Sequence, residues 1–134
     1  MKTLIGIDPG VNTGLAVYSE EKLQLVESCT AVNAESFVLK TMKEGENIKL
    51  YIEDARKRKY FGNTGRERLQ GAGSIKRDSL RWQEFSEHHK IEFELIAPKD
   101  NKTKLKSAEF KKLTGWNGRT NHNSRDAAML IFGR

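Results

Sequence analysis

One segment constrains this chain more than any other. It is the apolar run Leu4-Ile5-Gly6-Ile7, which ends in Asp8 and breaks at once at Pro9-Gly10. A short apolar run closed by turn residues reads as a buried strand, here residues 2–8. A carboxylate at the end of such a strand is costly to bury unless it is paired or meets a cation. Two further acids sit on core elements. Glu53 closes the apolar run Leu50-Tyr51-Ile52, and Asp126 lies in the last predicted helix, within Asn123-Ser124-Arg125-Asp126-Ala127-Ala128-Met129-Leu130. Three acids on three such elements suggest a shared metal site.

The rest of the chain supplies a frame for them. Residues 15–18 form a second strand, and residues 23–28 alternate partly as a third, antiparallel one. Asn33 suits the N-cap of a helix over 34–44, with Phe37, Val38, Thr41 and Met42 on one face and Gly45 at its end. Residues 49–53 are a fourth strand. A polar, basic segment, 54–65, leads into a long helix over 66–89 with the imperfect stripe Leu69, Ile75, Leu80, Trp82 and Phe85. Residues 91–96 alternate as a fifth strand. A loop over 98–103 precedes a short helix, 105–114, closed by Gly115, and a last helix spans 122–132. Three hairpin-linked strands followed by crossovers predict a single α/β domain over 1–134. Its mixed five-stranded sheet carries helices on both faces.

Charge narrows the class of partner. The net charge is +6 over 134 residues, and it is unevenly spread. Residues 1–50 carry 5 Lys and Arg against 7 Asp and Glu, whereas residues 51–134 carry 19 against 11. A basic half following an acidic strand region fits a polyanion drawn over an acidic metal site. The plainer alternative is a solvated, soluble surface. The single cysteine, Cys29, excludes an intrachain disulfide framework and fits a reducing cytosol. No apolar run approaches the roughly 20 residues of a membrane-spanning helix, and the N-terminus enters a strand without signal-peptide architecture. A soluble cytoplasmic protein is expected, nucleoid-associated or phage-encoded.

The stretch Ile5-Gly6-Ile7-Asp8-Pro9-Gly10-Val11-Asn12-Thr13-Gly14-Leu15-Ala16 resembles the N-terminal motif of the RuvC family of Holliday-junction resolvases. The element order resembles the RNase H-like fold of that family. Glu53 in Tyr51-Ile52-Glu53 matches the family's second acid, and Asp126-Ala127-Ala128 matches its last. The resemblance implies that Asp8, Glu53 and Asp126 are metal ligands and that the first and fourth strands lie side by side. The family's fourth ligand, an Asp or His, lies one turn before the last Asp. This chain has His122 and Asn123 there; His122 is the better ligand chemically, and Asn123 offers a carbonyl oxygen. The chain is short for the family and looks like a compact, phage-type version.

The chemistry so implied is phosphodiester hydrolysis with two Mg2+ ions, for which Mn2+ can substitute. Each acid also has an ordinary explanation: Asp8 as a turn cap, Glu53 as a solvated strand end, Asp126 as a first-turn acid on the helix dipole. The run Arg56-Lys57-Arg58-Lys59 can hold phosphates, and Tyr60 and Phe61 can stack on exposed bases. The family's aromatic in this region lies nearer the glutamate, where this chain has Arg56. Lys99 and Lys104 resemble family lysines at the scissile strand, and Arg119 and Arg125 are further phosphate candidates. The predicted partner is branched DNA, cut by a homodimer whose interface includes Leu80, Trp82 and Phe85, or else these residues face the sheet. No organic cofactor or membrane is implied. The alternatives are a nuclease on other branched DNA or on RNA, a non-catalytic junction-binding module, and an actin-like phosphate-binding domain.

Overall fold

The protein was analysed as a computed structural model that describes residues 2–57 and 66–134, and only the backbone of residues 66–72, 74 and 75. Five strands form one sheet: β1 (Lys2–Asp8), β2 (Thr13–Ser19), β3 (Lys22–Cys29), β4 (Asn47–Glu53) and β5 (Glu92–Ile96). Their order across the sheet is β3-β2-β1-β4-β5. β1, β2 and β3 pair antiparallel, while β1–β4 and β4–β5 pair parallel. Among the described residues the α-helices are α1 (Ala31–Lys43), α2 (Arg66–His88), α3 (Ser107–Thr114) and α4 (His122–Ile131). This is the mixed α/β sheet that the sequence pattern predicts.

Strand alternation divides the core into two layers. Ile5, Ile7, Leu50 and Ile52 face one side, where they meet Ala34 and Val38 of α1 and Trp82 of α2. Leu4 and Tyr51 face the other side, where Ala127, Ala128, Leu130 and Ile131 of α4 and Phe110 of α3 cover them. Helices therefore lie on both faces.

Two expectations change. α1 begins earlier than Asn33 suggests: Thr30 is the N-cap, and its Oγ1 accepts the Asn33 backbone N–H at 3.1 Å. The Asn33 amide is thus the third donor of the first turn and satisfies the cap rather than forming it. On α2, Trp82 is 1% exposed and packs in the core with Phe85 beside it, whereas Leu80 is exposed. Trp82 and Phe85 therefore pack toward the sheet, the second of the two placements open to them in the sequence.

Candidate metal centre

The same alternation that buries Leu4 and Gly6 under α4 carries Asp8 to that face at the end of β1. On β4, Lys49, Tyr51 and Glu53 share it. Parallel pairing sets Ile7 opposite Ile52, so Asp8 and Glu53 emerge at the same end of neighbouring strands. The end of β4 is fixed from the other side as well, where the Asp54 N–H donates to the Ile96 carbonyl at 2.8 Å.

Asp126 reaches these two because α4 lies unusually close to the sheet. A Cβ on Gly6 would collide with the Ala127 carbonyl oxygen, and one on Gly14 with the Asn123 carbonyl oxygen. Gly14 is the strand partner of Asp8. The two carbonyls lie one helical turn apart, so two glycines on adjacent strands seat one stripe of α4. A reciprocal capping box between Asn121 and Ser124 fixes where the helix starts.

The result is a three-carboxylate cluster. Ligand oxygens of Asp8, Glu53 and Asp126 lie within 4.8 Å of one another. Burial, followed by the charges of Glu53 and Asp126, pushes the Asp8 carboxyl up to about 8. Burial also raises Asp126, against the lowering effect of the Lys104 N–H and of nearby His122, Arg125 and Lys104. Burial and the neighbouring acids thus hold the Asp8 carboxyl toward its protonated form. Its donors are all hard oxygens, a set that fits Mg2+ or Mn2+ and not a soft metal.

The loop between β5 and α3 supports the acids in a way that sequence reasoning missed. Asn101 Nδ2 donates to the Asp126 carbonyl at 3.0 Å and to Glu53 Oε2 at 3.4 Å. The Lys104 N–H donates to Asp126 Oδ1 at 2.9 Å from a backbone held at φ 60°. A lysine in the left-handed region is strained, and here the strain aims an N–H at a candidate ligand. Positive φ on a lysine leaves no mark in a sequence; Asn101 is a loop asparagine among polar neighbours.

The other predicted residues divide. Lys99, Lys104 and Arg119 are exposed. His122 is exposed on the first residue of α4, with Nδ1 3.4 Å from Arg125 Nη2; it is not among the converging ligand atoms. Arg125, expected to meet phosphate, is buried instead. Its Nε donates to the Leu105 carbonyl at 2.8 Å and its Nη1 to Thr120 Oγ1 at 2.7 Å, so it ties α4 to the preceding loops. Arg56 forks onto the buried Asp54 carboxylate at 2.8 and 3.0 Å and also reaches Gln83 of α2. Lys57 donates to the Leu95 carbonyl at 2.9 Å. Arg58, Lys59, Tyr60 and Phe61 lie outside the described residues.

No protein-family model matches the chain, and no curated protein sequence matches it. Its structure is similar to RuvC of T. thermophilus in complex with a Holliday junction substrate, with a TM-score of 0.59 and 16% identity. The match covers 97% of this chain and 90% of that one. At that identity the likeness speaks for the fold, which is the RuvC-like form of the RNase H-like fold.

Proposed function

We propose that this chain is a divalent-metal-dependent endonuclease that hydrolyses phosphodiester bonds at four-way DNA junctions. One observation carries the reading: Asp8, Glu53 and Asp126 converge at the strand ends of a fold shared with a protein solved on a Holliday junction. Asp8, Glu53 and Asp126 would together hold the divalent cation, two Mg2+ ions in this reading, through their carboxylate oxygens. His122, one turn before Asp126, is the proposed fourth ligand. Bound divalent ions supply an activated water and neutralise charge at the leaving oxygen.

The remaining work belongs to the chain. Asn101 holds the Glu53 carboxylate against the α4 backbone, and the Lys104 N–H fixes one Asp126 oxygen. The orientation of two of the three acids is thus set before substrate arrives. Exposed Lys99, Lys104 and Arg119 attract the phosphate backbone; Arg58, Lys59, Tyr60 and Phe61, outside the described residues, are further candidates for DNA contact by their chemistry. A four-way junction has twofold character, so a homodimer matches it with two symmetric sites.

The test is cleavage of a synthetic mobile four-way junction in Mg2+, beside linear duplex, a flap and an RNA–DNA hybrid, with Asp8→Asn in parallel. Paired symmetric nicks in the junction, lost in Asp8→Asn while binding persists, are expected. Preferential cutting of the flap or hybrid would discard junction selectivity. Tight junction binding without cleavage in Mg2+ or Mn2+ would leave a binding module.

A further inference from the structure

Three surface clefts differ in their charge. One, at the opposite end of the sheet, is lined by Glu20, Glu44 and Glu46 with Lys40. A second, beside it, is lined by Glu20, Glu21 and Glu92 among its cations. The third, of about 330 Å3, lies between α3 and the loop into α4, and no carboxylate lines it. Its walls carry Lys111, Arg119, Ser107, Thr120 and Asn117 around the Trp116 ring. Every one of these five polar side chains can donate a hydrogen bond.

The two cations are exposed, and neither makes an ion pair among the described residues. The indole N–H of Trp116 is buried without a partner, packed where a Cβ on Gly118 would strike it. A concave surface of donors with unneutralised positive charge selects an anion. The cleft is also joined to the metal centre. Thr120 on its wall accepts from Arg125, which precedes Asp126.

We propose that this cleft binds a backbone phosphate of the DNA strand away from the cut, and so anchors an arm of the substrate while the carboxylate cluster holds the scissile bond. The idea deepens the nuclease reading and rests on it only for the choice of DNA as ligand. Lys111 and Arg119 supply the charge, Ser107 and Thr120 hydroxyls the directed donors, and Trp116 the floor.

The experiment measures binding, not cutting, so the two ideas fail separately. Full-length Asp8→Asn protein is titrated with intact four-way junction and with linear duplex over a range of salt. Lys111→Ala with Arg119→Ala weakens both complexes roughly tenfold and lowers the salt slope by about 2. Lys112→Ala is the control: it removes one charge from the next residue of α3, which does not line the cleft. Equal losses in Lys112→Ala and Lys111→Ala would mean diffuse attraction and would overturn the proposal, as would an unchanged salt slope in the double variant. Trp116 fluorescence gives a second readout, since the other tryptophan, Trp82, is sealed in the core. DNA shifts the emission in a Lys111-dependent way; a shift caused by inorganic phosphate that DNA cannot displace would also sink the idea. Failure to cleave any DNA, with these binding effects intact, removes the nuclease reading and leaves the anchor standing.

Discussion

The two faces of the sheet are built on opposite terms. Under α1 and α2, large side chains separate helix from strand: Ile5, Ile7, Leu50 and Ile52 meet Trp82 and Val38. Under α4, glycines remove the separation, and helix carbonyls rest on Gly6 and Gly14. The same strands present both surfaces, because neighbouring residues point opposite ways. One face secures stability through buried volume. The other places a helix backbone where its carboxylate can join two strand-end carboxylates. Stability and site geometry should therefore respond separately to mutation.

The largest stability effect belongs to the face without the site. Trp82→Ala removes a side chain that is 1% exposed, at a cost of about 3–5 kcal/mol. The fraction that stays folded should bind Mn2+ within about twofold of the parent, because none of Asp8, Glu53 and Asp126 sits on that layer. Chemical denaturation and calorimetric titration of Mn2+ check the two halves. A large loss of affinity in the folded fraction would erase the distinction between the faces.

Gly6→Ala is the converse test. The added methyl meets the Ala127 carbonyl, and α4 must retreat. Overpacking of this kind costs about 1–3 kcal/mol, less than Trp82→Ala, yet Mn2+ affinity should fall tenfold or more as Asp126 moves with the helix. A variant with lowered stability and unchanged metal binding would show that the close approach serves packing alone.

The frame of this division was legible in the chain. Asp8 and Glu53 close apolar runs, and Asp126 precedes a pair of alanines that a tightly seated helix needs. The strands were readable because their apolar residues cluster between turn signals. What could not be read was tertiary. Arg125 is indistinguishable in sequence from a phosphate-binding arginine until the Leu105 carbonyl and Thr120 hydroxyl are seen around it. Arg56 opens a basic run that suggests a phosphate contact, but Asp54, two residues away, holds it in a fork closed by Gln83 on a distant helix. Basic residues advertise charge, and only the fold reveals which of them is already engaged.

The metal-free protein should show the electrostatic side of the comparison. Asp8 is raised from 3.8 to about 8 in the folded state, by burial first and then by Glu53 and Asp126. Below about pH 4 the carboxyl is protonated folded and unfolded alike. Between about pH 4 and pH 8 the folded state keeps a proton that the unfolded chain has released. Stability therefore falls as pH rises through that window and levels off above it. Allowing for the water that reaches this pocket, the loss is about 1–2 kcal/mol. Asp8→Asn removes this loss, so the metal-free variant should outlast the parent at pH 8 and match it near pH 4. Mn2+ should reverse the order at pH 8 by stabilising the parent alone. Melting curves at the two pH values, with and without Mn2+, decide the point, and a parent without pH-dependent loss would mean the cluster is not charge-frustrated.

The smallest effect isolates positioning from packing. Asn101→Ala deletes the amide that spans the Glu53 carboxylate and the Asp126 carbonyl, and no large apolar surface is lost with it. The expected stability cost is about 0.5–1.5 kcal/mol, the range of a single hydrogen-bonding group. Metal affinity should fall more than that figure suggests, about tenfold, because the hydrogen bond from Asn101 that helps orient the Glu53 carboxylate is lost. Asn101→Asp separates the two contributions. It keeps the size and shape of the side chain but replaces a donor with a fourth carboxylate beside Glu53. The metal-free protein then loses stability at neutral pH, while Mn2+ binding strengthens and the stabilisation on adding Mn2+ grows. If Asn101→Ala and Asn101→Asp weaken Mn2+ binding equally, the amide donor lost in both, rather than side-chain shape or added charge, governs this corner.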